Sequence, residues 1–217
     1  MPPTQELAAT PPHRAAPVSL IRRARQHLTM PWKNGGGVTH ELAVSPAGAG
    51  FDDFVWRASI AEVNRDGPFS VFAGIDRTLV LLDGAGFTLQ LDQTEQQTLD
   101  QPYQPFRFPG ERAVTASLRG GPTRDFNLMI RRDAALGRLD IEQGPGTRHF
   151  DAEVALLYCE RGTLELALQH HATDRLHPGD LLLIDPAEAG LWSAQASAES
   201  VLIVIRVTPY TQPGASL

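Results

Sequence analysis

Short runs of alternating apolar and polar residues recur along the chain, separated by glycine, proline, asparagine and aspartate. Alternation with period two sets successive side chains on opposite faces of a strand. It predicts ten strands, at residues 38–44, 54–63, 78–82, 87–91, 113–118, 126–130, 154–158, 163–168, 181–184 and 201–207. Helical periodicity is scarce, and only residues 131–136 are expected to make a turn or two of helix before Gly137. Strands this short, without long amphipathic helices between them, predict an all-β antiparallel sandwich or barrel rather than βαβ units.

Part of the pattern repeats. The segment Leu81-Leu82-Asp83-Gly84-Ala85-Gly86-Phe87-Thr88-Leu89-Gln90-Leu91 is similar to Leu156-Leu157-Tyr158-Cys159-Glu160-Arg161-Gly162-Thr163-Leu164-Glu165-Leu166. Pro109 and Pro186 then end matching apolar stretches, and Phe126–Arg131 matches Leu202–Arg206 when the terminal arginines are aligned, all at an offset of 75 to 77 residues. Two copies of one β module are expected. His177-Pro178-Gly179-Asp180, followed by four apolar residues, Asp185 and Pro186, resembles the second half of a cupin barrel. The expected architecture is therefore a bicupin, two cupin-like jelly-roll modules at residues 18–132 and 133–217. They would follow a flexible proline-rich tail, residues 1–17, with prolines at 2, 3, 11, 12 and 17.

Composition narrows the chemistry. The net charge of −6 and a pI near 5.6 disfavour nucleic acid and anionic membrane partners. The longest purely aliphatic run, Val201 to Ile205, is far short of a membrane span. One cysteine, Cys159, allows no internal disulfide and fits a reducing cytoplasm; its place before a turn makes it a small buried hydrophobe rather than a nucleophile. Of 19 cationic residues, 18 are arginine and only Lys33 is lysine. Its neighbours Trp32 and Asn34 fit neither a phosphate-binding loop nor a kinase strand. No Gly-x-Ser-x-Gly elbow and no His-Glu-x-x-His is present.

A metal-binding cupin would need His-x-His with a glutamate and a further histidine. Residues 70–77 contain no histidine, and around His149-Phe150-Asp151-Ala152-Glu153 the place of the fourth ligand is taken by Trp192. No metal and no cofactor are expected. His149 reads as a solvated or capping residue, and His170 and His171 as decoration of a strand end.

The most irregular segment is Met30-Pro31-Trp32-Lys33-Asn34-Gly35-Gly36-Gly37-Val38-Thr39-His40-Glu41. It reads either as an Asn-Gly hairpin turn or as a nest of backbone N–H groups, beside an ammonium and an amide, that would hold a carboxylate. On residues 54–60, Trp56 and Ala58 share one face, and Arg57 and Ser59 the other. Arg57 is expected to point to solvent. Asn127, sharing a face with Asp125, could face solvent or a lumen. Arg77 reads as a surface partner of Asp76 or as a pocket cation, and Arg131-Arg132 as a solvated strand end.

Five blocks in order carry a family resemblance: residues 32–39, then Phe54-Val55-Trp56-Arg57-Ala58-Ser59-Ile60-Ala61, Gly67-Pro68-Phe69-Ser70, Asp76-Arg77-Thr78-Leu79, and Asp125-Phe126-Asn127-Leu128-Met129 with Arg131-Arg132. Together they resemble the HutD/Ves family, although position 40 is His where that family often has Arg. The resemblance implies a cytoplasmic bacterial bicupin without demonstrated catalysis, associated with histidine utilisation. Such a protein is thought to bind an intermediate such as N-formylglutamate and so limit induction; the Ves branch is named for stress induction.

The expected function is binding of a small carboxylate. Candidate ligand-binding residues are Trp32, Lys33, Asn34, Gly35, Gly36, Gly37, Thr39, His40, Trp56, Arg57, Arg77, Asp125 and Asn127. The alternatives are a metal-independent isomerase or lyase using His40 or Glu41 as acid or base, and a structural or interaction protein. Exposed strand edges leave room for a homodimer.

Overall fold

The structure is a computed structural model that describes residues 19–210 apart from 152, 170 and 189. The tail at residues 1–17 and His170 lie outside the described residues. Apart from one short 3₁₀ turn, Ala24–Gln26, every regular element among the described residues is a strand. The predicted helical turn at 131–136 is absent. Thr123–Arg131 runs through a turn directly into the strand Ala135–Gln143. Gly137 has a packing role there, because a Cβ at that position would lie 2.4 Å from the Ile130 side chain.

Four antiparallel sheets stack as layers. Residues 28–131 supply a six-stranded sheet, ordered Leu28–Pro31, Gly37–Ser45, Trp56–Val63, Thr123–Arg131, Ile75–Asp83, Pro105–Pro109. They also supply a four-stranded sheet ordered Gly67–Pro68, Val114–Leu118, Phe87–Leu91, Glu95–Leu99. The later part of the chain repeats this scheme. Its five-stranded sheet is ordered Leu20–Arg22, Leu181–Leu183, Val154–Arg161, Val201–Pro209, Ala135–Gln143, and its four-stranded sheet Gly146–His149, Trp192–Ala196, Leu164–Leu168, His171–Leu176. The early strand Leu20–Arg22 therefore pairs with Leu181–Leu183, far along the chain.

None of these sheets closes on itself, so the expected barrels are open sandwiches whose interiors lie between facing sheets. Both repeated segments form strand, turn and strand, at Ile75–Asp83 with Phe87–Leu91 and at Val154–Arg161 with Leu164–Leu168. Gly86 and Gly162 sit in those turns at positive φ. A Cβ would strike Leu99 O at 1.9 Å in the first and the Ser200 backbone at 2.8 Å in the second.

Alternation divides the buried residues among three larger cores and a small cluster of Phe54, Ile75 and Met129. Trp56, Ala58, Ile60, Val80, Phe126 and Leu128 of the six-stranded sheet pack on Leu156, Tyr158, Leu181, Ile203 and Ile205 of the five-stranded sheet, joining the two halves. Leu157, Cys159, Leu182, Leu202 and Val204 face the opposite way and meet Leu164, Leu166, Leu176 and Trp192. Leu79 and Phe108 meet Phe87, Leu89, Leu91, Val114 and Ala116 in the interior of the first half. That third core fills only part of its layer.

Candidate functional site

The remainder of the first interior carries polar residues around the small Met129 cluster, and strand register explains why. Because Trp56, Ala58 and Ile60 are committed to the core shared with the second half, Arg57 and Ser59 must face the four-stranded sheet. Ser59 stands opposite Glu41 and Asn127, and Asn127 in turn opposite Leu79. One row along, Met129 stands between Arg57 and Arg77; one row the other way, Asp125 stands between Ala61 and Leu81. Glu41, Arg57, Ser59, Arg77, Asp125 and Asn127 thus share one face of one sheet.

Arg57 is only 5 % exposed, so the expectation that it reaches solvent fails. Solvent would have required a sheet with a free face, whereas both faces here are covered. Its Nε donates to Glu41 Oε2 at 2.8 Å, Nη1 makes a long hydrogen bond to Ser59 Oγ at 3.4 Å, and Nη2 is buried without a partner among the described residues. Arg77 is likewise buried and is not the partner of Asp76, which pairs instead with Arg107 and Arg132. It donates to Asn127 Oδ1 at 3.4 Å and Ser70 O at 3.3 Å. Its guanidinium carbon lies 5.2 to 5.7 Å from the rings of Phe69, Phe72 and Phe108. Phe51 covers Arg57 in the same way at 5.0 Å and also meets Phe72.

Burial shapes the charges. It pushes the Arg77 guanidinium down to about 10, against the attraction of Asp125 and with the help of Arg57, so Arg77 remains a cation at neutral pH. It pushes the Asp125 carboxyl up to about 7, with the Arg77 charge opposing the rise. Asp125 Oδ1 is buried and, among the described residues, has no hydrogen-bond donor.

The glycine-rich segment proves to be a self-satisfied turn. Gly35 N–H donates to Trp32 O, Gly36 N–H to Asn34 Oδ1 and Trp32 N–H to Gly37 O. The amides of Gly35 and Gly36 are therefore not a nest for an anion. Gly35 takes a φ of +67°, and a Cβ on Gly37 would lie 2.4 Å from Glu62 O, which accounts for glycine at these positions without a ligand. Lys33 is exposed and makes no ion pair among the described residues. Trp32 does border the polar interior: its Nε1 donates to Thr39 Oγ1 at 2.8 Å, and its ring meets Phe69 edge-on.

Of the thirteen candidate positions, the fold brings Trp32, Thr39, Arg57, Arg77, Asp125 and Asn127 to this face. Trp56 lies on the opposite face of its strand, inside the shared core. His40 also lies on the opposite face from Thr39 and Glu41, where it contacts Thr29 Oγ1 and Glu62 Oε1. Arg131 is held by the carbonyls of Phe54 and Asp52, so only Arg132 of that pair is exposed. Sequence reasoning missed Ser59 and the aromatic cover of Phe51, Phe69, Phe72 and Phe108, and it gave Glu41 only an acid–base role. The parity of Glu41 with Thr39 could have found the first kind. Phe51, Phe69 and Phe72 lie in loops and carry no periodic signal.

Among the described residues the second interior has no such face. Cys159 is fully buried and its thiol is pushed up to about 12 by desolvation, as a structural cysteine should be. His149 is exposed, and Trp192 is buried among apolar side chains. Among the described residues no group of three or more His, Cys, Asp or Glu is placed to hold a metal ion. Two open grooves lie elsewhere, one of about 650 Å³ beside Tyr103, Arg161 and Ser200, the other of about 450 Å³ beside Arg23, Asp174 and His177.

The HutD family model matches residues 24–203. An uncharacterised 21.2 kDa protein in the hutC 3′ region of Pseudomonas putida is 36% identical over 165 residues, covering 76% of this chain and 86% of that protein. Protein Ves of Cronobacter sakazakii is 45% identical over 103 residues, 47% of this chain and 55% of its own. The solved structure of HutD from Pseudomonas fluorescens SBW25 superposes with a TM-score of 0.75 at 33% identity, covering 89% of this chain and 100% of that one. A cupin 2 conserved barrel domain protein from Leptotrichia buccalis shares the fold alone, with a TM-score of 0.54 at 9% identity over 79% of this chain and 89% of that one. The chain belongs to the HutD family.

Proposed function

We propose that this protein is a non-catalytic binder of a small carboxylate, built as two cupin-like halves of which the first carries the ligand. The acid enters between the six- and four-stranded sheets, Arg57 and Arg77 supply the cations, and Asn127 and Ser59 orient the remainder. Acting in the cytoplasm, it limits or senses histidine catabolism by holding an intermediate such as N-formylglutamate.

The observation that carries this reading is the buried Nη2 of Arg57, a donor without a partner among the described residues, close enough to the buried Arg77 guanidinium for the two charges to interact. A guanidinium shielded from water and only partly paired favours an incoming anion, and its planar fork suits a carboxylate. The Glu41 carboxylate engages only one edge of Arg57.

A thermal-shift screen with histidine, urocanate, N-formiminoglutamate, N-formylglutamate and glutamate tests the assignment. A ligand at about 100 times its dissociation constant adds about 2.7 kcal/mol of stability. At least one of these acids should raise the melting temperature, and Arg57→Gln should remove the shift. No shift with any of them sinks the pathway assignment.

One observation favours a second reading, a metal-independent isomerase or lyase. A carboxyl at about 7, as on Asp125, is well placed for general acid–base work. The earlier candidate His40 lies on the wrong face for that role. An NMR time course separates the two readings, because a binder leaves its ligand unchanged and an enzyme converts it.

A further inference from the structure

Two polar atoms in the first interior are buried without a hydrogen-bond partner among the described residues, and they are of opposite kind. Arg57 Nη2 is a donor and Asp125 Oδ1 an acceptor. Both side chains rise from the same face of neighbouring strands, with Ser59 and Asn127 in the row between them. The surroundings offer Asp125 nothing. Its cross-strand neighbours are Ala61 and Leu81, and the facing sheet contributes Phe87, Leu89, Leu91, Val114 and Ala116, all apolar. Arg77 attracts it electrostatically but makes no ion pair with it, using its donors on Asn127 Oδ1 and Ser70 O.

A bare carboxylate answers only half of this arrangement. It brings acceptors to Arg57 and leaves Asp125 as a second anion with an unpaired oxygen, which is costly in a dry interior. A molecule that also carries a donor answers both halves. Glu41 differs from Asp125 in being paired with Arg57 Nε and partly open to water, so it holds no buried oxygen left without a partner.

We propose that Asp125 is a specificity-determining residue of this site and selects acids that bear an N–H or O–H donor in addition to the carboxylate. The proposal rests on the carboxylate-binding reading above. The ligand class is then narrower than small carboxylates: N-acylamino acids and hydroxy acids are accepted, and acids of equal size without a donor are rejected. Sites built to pair a ligand hydroxyl or amide discriminate far more strongly than apolar pockets do against a methyl group, because the missing donor leaves a buried group unsatisfied.

The test is calorimetric titration of the full chain at pH 8, above the value of about 7 to which burial raises the Asp125 carboxyl, so that it is ionised. Two matched pairs of probes serve: N-formylglutamate against its N-methyl counterpart, and 2-hydroxyglutarate against the near-isosteric 2-methylglutarate. In each pair the donor-bearing acid should bind about tenfold or more tightly. Asp125→Leu should bring both ratios close to one, whereas Arg57→Gln should weaken all four acids and preserve the ratios. Equal affinities within both pairs on the unaltered protein would overturn the proposal while leaving carboxylate binding intact. Ratios that persist in Asp125→Leu would overturn the assignment to Asp125. Failure of all four acids to bind at millimolar concentration would overturn the carboxylate reading and this proposal with it. The ratios on the unaltered protein stand whether or not either variant folds.

Discussion

In the first half of the chain, the strands Trp56–Val63, Ile75–Asp83 and Thr123–Arg131 turn Arg57, Ser59, Arg77, Asp125 and Asn127 toward the facing sheet. In the second half, Val154–Arg161, Leu181–Leu183 and Val201–Pro209 turn Leu157, Cys159, Leu182, Leu202 and Val204 toward theirs. At the 75-residue offset Asn127 matches Leu202, Met129 matches Val204 and Asp125 matches Ser200. Ser200 is fully engaged, its hydroxyl donating to Thr163 O at 3.1 Å, whereas Asp125 Oδ1 has no donor. The second interior shows what this scaffold does when only stability is at stake, and the first carries groups that cost stability. Such groups persist where they serve function.

Exchanging the two characters should produce the largest effect on the second half. Leu202→Asn would place the amide of the first interior into an apolar layer that offers it no partner. Lost burial and an unpaired amide together should destabilise the protein by about 4 kcal/mol, read from chemical denaturation. A change below about 1 kcal/mol would mean that the second interior can accommodate polarity and that the contrast is superficial.

The next effect is one of pH. Asp125 has a folded pKa of about 7 against about 3.9 unfolded, so the folded chain holds a proton that the unfolded chain releases between those values. Its contribution is intact below about pH 4 and is lost as pH rises through 7. From pH 5 to pH 8 the loss should be roughly 2–3 kcal/mol. Glu160, raised by burial, works in the same direction, and His27, lowered by burial, works oppositely as it becomes neutral. Subtracting the same curve measured on Asp125→Asn isolates Asp125. If the two curves run parallel, Asp125 is not a strained carboxylate in the folded chain.

Much of this contrast was legible in the sequence, and its limits have physical causes. Alternation located ten of the strands and put Arg57 opposite Trp56, and the repeat aligned the two halves. It could not say that both faces of residues 56–63 are covered. In an open two-layer sandwich Arg57 would have been solvated, and here a third layer, the five-stranded sheet, takes the Trp56 face. Short edge strands such as Glu95–Leu99 and Gly146–His149 have no apolar face to read. The glycine run looked like a nest because composition records flexibility and not whether the amides are already paired.

The reverse exchange should cost little stability and much binding. Asn127→Leu would extend the apolar part of the first interior across the row between Arg57 and Asp125. Removing a polar group whose only side-chain partner among the described residues is a 3.4 Å bond from Arg77 should change stability by less than about 1 kcal/mol in either direction. Affinity for N-formylglutamate should nevertheless fall about tenfold. Stability and binding would then move separately, as expected if the polar residues of this interior serve a ligand. Loss of both together would make Asn127 a structural residue.

The smallest effect concerns Lys33, the one lysine among 19 cationic residues. Rarity made it conspicuous, but its side chain is exposed, whereas Arg57 and Arg77 are 5 % and 7 % exposed. A charge in water is screened and weakly coupled to an anion held inside the protein, while a buried guanidinium is not. Lys33→Ala should therefore change stability by less than about 0.5 kcal/mol and N-formylglutamate affinity by less than about twofold. Amine-selective labelling of Lys33 should proceed at the same rate with and without bound acid. Slower labelling on binding would show that the turn closes over the ligand, and would bring the rim of the first half into the site alongside its buried arginines.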